Sequence, residues 1–149
     1  MQGQMLAPAA ALVCWSLIML LWMAATRFPA MKSSGIDLGK AAPGGRGERL
    51  NGVLPDPVMW KSHNYTHLME QPTIFYPAVI ILAIMGATSL DVGLAWAYVA
   101  IRIIHSLRQA TVNRIPVRAS LFFVSSFVLI ALAVRVLVVT LSASQGIVT

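Results

Sequence analysis

The amino-acid sequence predicts an all-α integral membrane protein, a bundle of four transmembrane helices. Two compositional observations point there: 58% of the 149 residues are apolar and only 11% are charged, and the mean hydropathy is +0.75, well outside the range of soluble domains. The third is that four apolar stretches each reach the about 20 residues that a helix needs to cross a hydrocarbon core of about 30 Å. They fall near residues 6–26, 63–90, 93–112 and 119–142, with a polar connection over 27–60. The whole chain, 1–149, reads as one transmembrane domain.

The first stretch has no Lys or Arg before it in Met1–Met5, and its apolar run exceeds a signal-peptide core, so it reads as a span that is kept. Cys14, the single cysteine, lies inside it. It can form no intrachain disulfide and is expected to be a buried apolar thiol.

The connection 27–60 is rich in Gly, Pro and Ser and is expected to be irregular. Its segment Gly35-Ile36-Asp37-Leu38-Gly39-Lys40 superficially suggests a phosphate-binding loop. The spacing is one residue short, no Ser or Thr follows Lys40, and no strand precedes it, so nucleotide binding is not supported.

The second span begins polar. His63, His67 and Glu70 are spaced i, i+4 and i+7, which aligns them along one helix face. Glu70 then lies about 10 Å in from His63. Pro72 and Pro77 follow and should kink or loosen the helix.

The third span carries Arg102, His105, Ser106, Gln109 and Asn113 at spacings of three and four. Measured back from Asn113, His105 lies about 12 Å deep and Arg102 about 16 Å deep. Charged groups inside a membrane usually face the bundle interior, find partners and mark a functional path. Glu70 and Arg102, at overlapping depths on opposed helices, are therefore expected to be neighbours. Arg135, about 24 Å into the fourth span, is expected to snorkel to the far interface.

Charge placement sets the orientation. Arg27, Lys32, Lys40, Arg46, Arg49 and Lys61 lie between the first two spans, and Arg114 and Arg118 between the last two. The N-terminus, the turn 88–92 and the C-terminal tail have none. The positive-inside rule then puts both basic connections in the cytoplasm and both termini outside. The sequon Asn64-Tyr65-Thr66 falls on that cytoplasmic side and is expected to be fortuitous. Topology and attraction to anionic membrane lipid account for the net charge of +6 without a nucleic-acid partner.

The string Asn64-Tyr65-Thr66-His67-Leu68-Met69-Glu70-Gln71-Pro72-Thr73-Ile74-Phe75-Tyr76 precedes a second motif, Trp96-Ala97-Tyr98-Val99-Ala100-Ile101-Arg102-Ile103-Ile104-His105-Ser106, and then Asn113-Arg114. Together they resemble the MAPEG family, the membrane-associated proteins of eicosanoid and glutathione metabolism, in a bacterial-type variant. The resemblance implies a homotrimer of four-helix subunits in the bacterial inner membrane. It further implies glutathione held between protomers near the cytoplasmic face, and transferase or peroxidase chemistry on a lipophilic small-molecule substrate drawn from the membrane. Carried over by position, it implies catalytic roles for Arg102 and His105 and glutathione contacts from His63, His67, Glu70, Gln109, Asn113 and Arg114. Arg102 or a neighbouring subunit's Arg114 could then stabilise the thiolate. The chain departs from the family's enzymes at His67, where asparagine is usual, at His63, where arginine is common, and at His105 and Gln109, where tyrosines are common. Two other readings stand beside this one: a metal site built from His63, His67, Glu70 and His105, and a non-catalytic membrane scaffold or small-molecule binding protein with the same bundle.

Overall fold

The computed structural model describes residues 1–41 and 43–145, so Ala42 and 146–149 of the expected domain lie outside the described residues. Among the described residues there are helices and no strands, and four spans are long and apolar enough to cross a membrane. The helices are α1 (Gln2–Ser33), α2 (Asp56–Leu68), α3 (Pro72–Met85), α4 (Ser89–Thr111) and α5 (Ile115–Gln145), with α2 and α3 together forming the second span. The four-span helical bundle expected from hydropathy is the observed architecture.

Helix α1 buries Met5, Pro8, Leu12, Ser16 and Met19, a stripe at spacings of three and four, and exposes Leu17, Ile18 and Leu21 on the outer surface. Cys14 is exposed on that outer surface, which corrects the expected buried thiol: beside exposed Val13 it lies off the inward stripe. At about 1.5 Å per residue α1 is about 48 Å long, more than a hydrocarbon core requires.

The connection between the first two spans is shorter than expected. Helix α1 runs on to Ser33 rather than ending near 26, because Met31 packs into a small cluster with Leu54 and Met59. Arg27, in the same stretch, donates from Nη1 to Ser62 Oγ and from Nη2 to the Gly47 carbonyl, each at 3.0 Å. Two 3₁₀ turns, Leu38–Lys40 and Gly47–Leu50, give the rest of the connection its shape. Helix α2 then begins at Asp56, earlier than 63, with Pro57 in its first turn, where a missing N–H costs no helical bond.

The second span is interrupted at Pro72. Residues 69–74 change to bonds between residues three apart, among them Met69 N to Thr66 O at 2.9 Å and Thr73 N to Glu70 O at 3.2 Å. Pro72 has no N–H to give the Leu68 carbonyl and its ring crowds the preceding turn, so the ladder breaks there. Pro77 lies inside α3 without such a break. Gly86, at φ 97°, ends α3 in the left-handed conformation that favours glycine.

Helix α4 is central, packing on α1, α2 and α5. Thr88 and Asp91 form a reciprocal capping box at its start. Its buried face reads Asp91, Ala95, Tyr98, Val99, Arg102, His105, Ser106 and Gln109, so the polar stripe points into the bundle. At the apolar level Tyr98 stacks on Phe75 with centroids 4.5 Å apart, amid Leu12, Met19, Leu129 and Leu132. Arg135 finds a specific partner: its Nε donates to Asp91 Oδ1 at 2.8 Å and its Nη2 to Asp91 Oδ2 at 3.3 Å. Antiparallel α4 and α5 bring the first turn of one beside the last third of the other, so the fully buried Asp91 carboxylate pairs with the guanidinium at the end of the bundle where the 88–92 turn lies.

Candidate functional site

The site grows out of the break at Pro72. In an uninterrupted helix the His67 carbonyl would be engaged within the helix; here Glu70 N reaches it only at 3.4 Å. Arg102 Nη2 fills the deficit, donating to His67 O at 3.0 Å and to His67 Nδ1 at 3.0 Å. Arginine can only donate, so Nδ1 is the accepting nitrogen and the ring proton belongs on Nε2. The His67 ring stacks on His105 at 5.0 Å and meets the edge of Phe122 at 5.5 Å. One side chain of α2 is thus clamped by α4 and α5 together.

The expected pairing of Glu70 with Arg102 does not form. Arg102 is fully buried, Glu70 is exposed, and no ion pair joins them among the described residues. The turn at 69–71 carries Glu70 out of the α2 register while leaving the His67 carbonyl open toward α4. The arginine therefore bonds to the histidine and its backbone.

On the outer side of His67 lies a pocket of about 400 Å³. Helix α2 lines it with Met59, Ser62, His63, Thr66 and His67. Glu70 comes from the interruption, Gln109 from α4, Arg118 from α5 and Glu48 from the second 3₁₀ turn. His63 Nε2 donates to Asn51 Oδ1 at 2.9 Å, tying α2 back to the connection. Gln109 is buried, and its Oε1 has no hydrogen-bond partner among the described residues. Arg118 is held by its Nη1, which donates to Asn113 Oδ1 at 2.8 Å. Asn113 adopts φ 49°, a left-handed conformation that asparagine tolerates better than most residues.

Of the residues singled out in the sequence, His63, His67, Glu70 and Gln109 are brought together at this pocket. Arg102 and His105 are not in its wall. Both are buried behind His67, and His105 Nε2 and Arg102 Nε and Nη1 have no hydrogen-bond partner among the described residues. Asn113 contributes by holding Arg118, and exposed Arg114 is not among the lining residues. Arg118, Ser62, Thr66 and Glu48 escaped the sequence reading. Ser62 and Thr66 are one turn apart on the face beside His63 and His67, a spacing that could have revealed them, and Asn113 close before Arg118 hinted at the α4–α5 corner. Nothing local marks Glu48.

Deeper between α2 and α4, Asn64 Nδ2 donates to Ser106 Oγ at 2.7 Å, both groups being buried. Gln71 ties α3 to its neighbours, accepting from Tyr98 Oη at 3.3 Å and donating to Ser126 Oγ at 2.7 Å. Among the described residues no group of three His, Cys, Asp or Glu side chains is arranged to hold a metal ion.

Comparison with known proteins found no curated protein and no solved structure that matches. One family model does match, the MAPEG family, over residues 5–138, which reaches into all four spans and takes in every residue of the pocket. A multi-pass membrane architecture, the two motifs on the second and third spans, and a family match over nearly the whole chain lead to one conclusion: this protein belongs to the MAPEG family.

Proposed function

We propose that this protein is a glutathione-dependent membrane enzyme, a transferase or peroxidase acting on lipophilic substrates, whose tripeptide site is the pocket between α2, α4 and α5. The observation that carries the reading is the set of polar groups in that pocket. Among the described residues it joins two carboxylates outside any ion pair, Glu48 and Glu70, a fixed cation at Arg118, the ring of His63 and an unpartnered acceptor at Gln109 Oε1. Its volume of about 400 Å³ also falls within the about 300–1,000 Å³ of small-molecule sites.

Glutathione supplies a thiol, whose thiolate is the nucleophile. The residues present fit its remaining groups. Glu70 would accept from its α-amino group and Gln109 Oε1 from an amide N–H, while His63, whose Nε2 already donates to Asn51 Oδ1, would turn its other ring nitrogen to the ligand. Arg118 is the cation that favours the thiolate over the thiol, a role for which deeply buried Arg102 and outlying Arg114 are less well placed. Arg102 and His105 act as positioning residues, holding the His67 ring.

The site lies on the side of the two basic connections, so the positive-inside rule favours a cytoplasmic-facing site, in a bacterial inner membrane on this reading. A lipid-facing cleft would admit the co-substrate. The extensive apolar surface left outside the bundle, including Phe123, Phe127, Ile130, Val134 and Leu137 of α5, suits both lipid and the neighbours of a homotrimer.

A thermal-shift titration of the detergent-solubilised protein tests the reading. Glutathione and its S-hexyl derivative are expected to stabilise it, zinc is not, and Arg118→Gln is expected to abolish the glutathione effect. Native mass measurement is expected to give three chains. A second reading, a binding protein that has kept the bundle without the reaction, is favoured by His105 and Gln109 at positions where the family's enzymes carry tyrosine. Stabilisation by glutathione without turnover of any electrophile or peroxide would select it.

A further inference from the structure

Apart from the polar pocket lies a larger cavity, of about 670 Å³, between the end of α1 and the connection that folds over it. Its floor is apolar, with Leu20, Met23 and Phe28 among the α1 residues, and its rim carries Arg27, Arg46 and Arg49. No Asp or Glu lines it among the described residues. Among the described residues none of the three arginines forms an ion pair, the pairs there being Lys40 with Asp37 and Arg135 with Asp91. Arg27 meets only neutral oxygens, Ser62 Oγ and the Gly47 carbonyl. A Cβ on Gly47 would lie 3.0 Å from Arg27 Nη1 and nearer still to Nη2, so a larger residue there would push the flexible guanidinium end aside. Arg27 thus sits at the mouth of an apolar slot with no carboxylate beside it among the described residues.

Leu20 lies about 10 Å from Arg27 along the helix axis, toward the membrane interior. Apolar wall and cationic rim thus succeed each other along the direction in which lipid chains and headgroups do. Guanidinium groups match phosphate and carboxylate by charge-assisted hydrogen bonds. We infer that the cavity between the end of α1 and the 34–55 connection binds an anionic amphiphile, with a phosphate or carboxylate on the arginine rim and an acyl chain along α1. The cavity shares no lining residue with the proposed glutathione pocket, although Arg27 reaches Ser62 of that pocket's wall.

Two sources share that chemistry, an anionic phospholipid of the bilayer and a free fatty acid. Native mass spectrometry of the full-length protein, delipidated in detergent and titrated with dioleoylphosphatidylglycerol, dioleoylphosphatidylcholine or oleate, distinguishes them. One anionic ligand per chain is expected to bind about tenfold more tightly than phosphatidylcholine, and Arg46→Gln/Arg49→Gln is expected to remove that preference. Both arginines are exposed, so the double variant should fold. Gly47→Ala, which displaces Arg27, is expected to weaken the same ligand. Preference for phosphatidylglycerol identifies a bilayer lipid, and binding of oleate alone identifies a free acid. Equal retention of phosphatidylglycerol and phosphatidylcholine, or a double variant that keeps the native preference, overturns the inference.

Discussion

Replacing His67 by Leu and Arg102 by Met, singly and together, tests the clamp on which the pocket wall rests. Both replacements keep approximate side-chain volume, so the measured losses report polar interactions more than cavities. Arg102 Nη2 serves two acceptors, His67 Nδ1 and His67 O, each at 3.0 Å. His67→Leu removes the first, and a hydrogen bond to a charged group contributes about 1.5–3 kcal/mol; the expected loss is about 2 kcal/mol. Arg102→Met removes both bonds. It also removes a buried cation whose Nε and Nη1 lack partners, and relief of that desolvation offsets part of the loss, leaving about 2 kcal/mol. In the double variant the shared bond is lost once, so the total should fall short of the sum by about 1.5 kcal/mol. The parallel cycle of Glu70→Gln with Arg102→Met should add to within about 0.5 kcal/mol, because no direct bond couples that pair. Reversible denaturant unfolding in mixed micelles measures all five variants. Additivity for His67 with Arg102, or strong coupling for Glu70 with Arg102, would refute the geometry that the break at Pro72 imposes.

Arg135→Leu, which strands the buried Asp91 carboxylate, should lower the unfolding temperature more than Arg135→Leu/Asp91→Asn does; a double variant worse than the single would show that the pair is not a mutual requirement. Asn113→Gly should leave the α4–α5 corner intact, since glycine accepts φ 49°, yet weaken glutathione binding in calorimetry by freeing Arg118. Unchanged affinity would detach Arg118 from the site. A reporter fused after Thr149 should be active only outside the cytoplasm, and cytoplasmic activity would reject the orientation drawn from the Lys and Arg distribution.

The number of spans and the inward face of α4 were readable in the sequence, because hydrocarbon imposes length and hydropathy on each helix separately. The spacing of Arg102, His105, Ser106 and Gln109 is likewise a local property, and the family resemblance followed from residues in order along the chain. Which polar group meets which is not local. Glu70 and Arg102 are opposite in charge and similar in depth, but the turn of three-apart bonds before Pro72 carries one away and leaves the His67 carbonyl open to the other, an outcome set by the backbone of α2 and α3 packed on α4. Asp91 gave no sign of its partner until α5 was laid beside it, since the two residues are 44 positions apart. Arg118 takes its place from the α4–α5 corner, and Glu48 and the arginine-rimmed cavity depend on how the connection folds back over α1 and α2. Transfer from water to membrane acts residue by residue and can be summed along a sequence, whereas hydrogen bonds and ion pairs act over a few ångströms between helices and exist only once the bundle has brought their partners together.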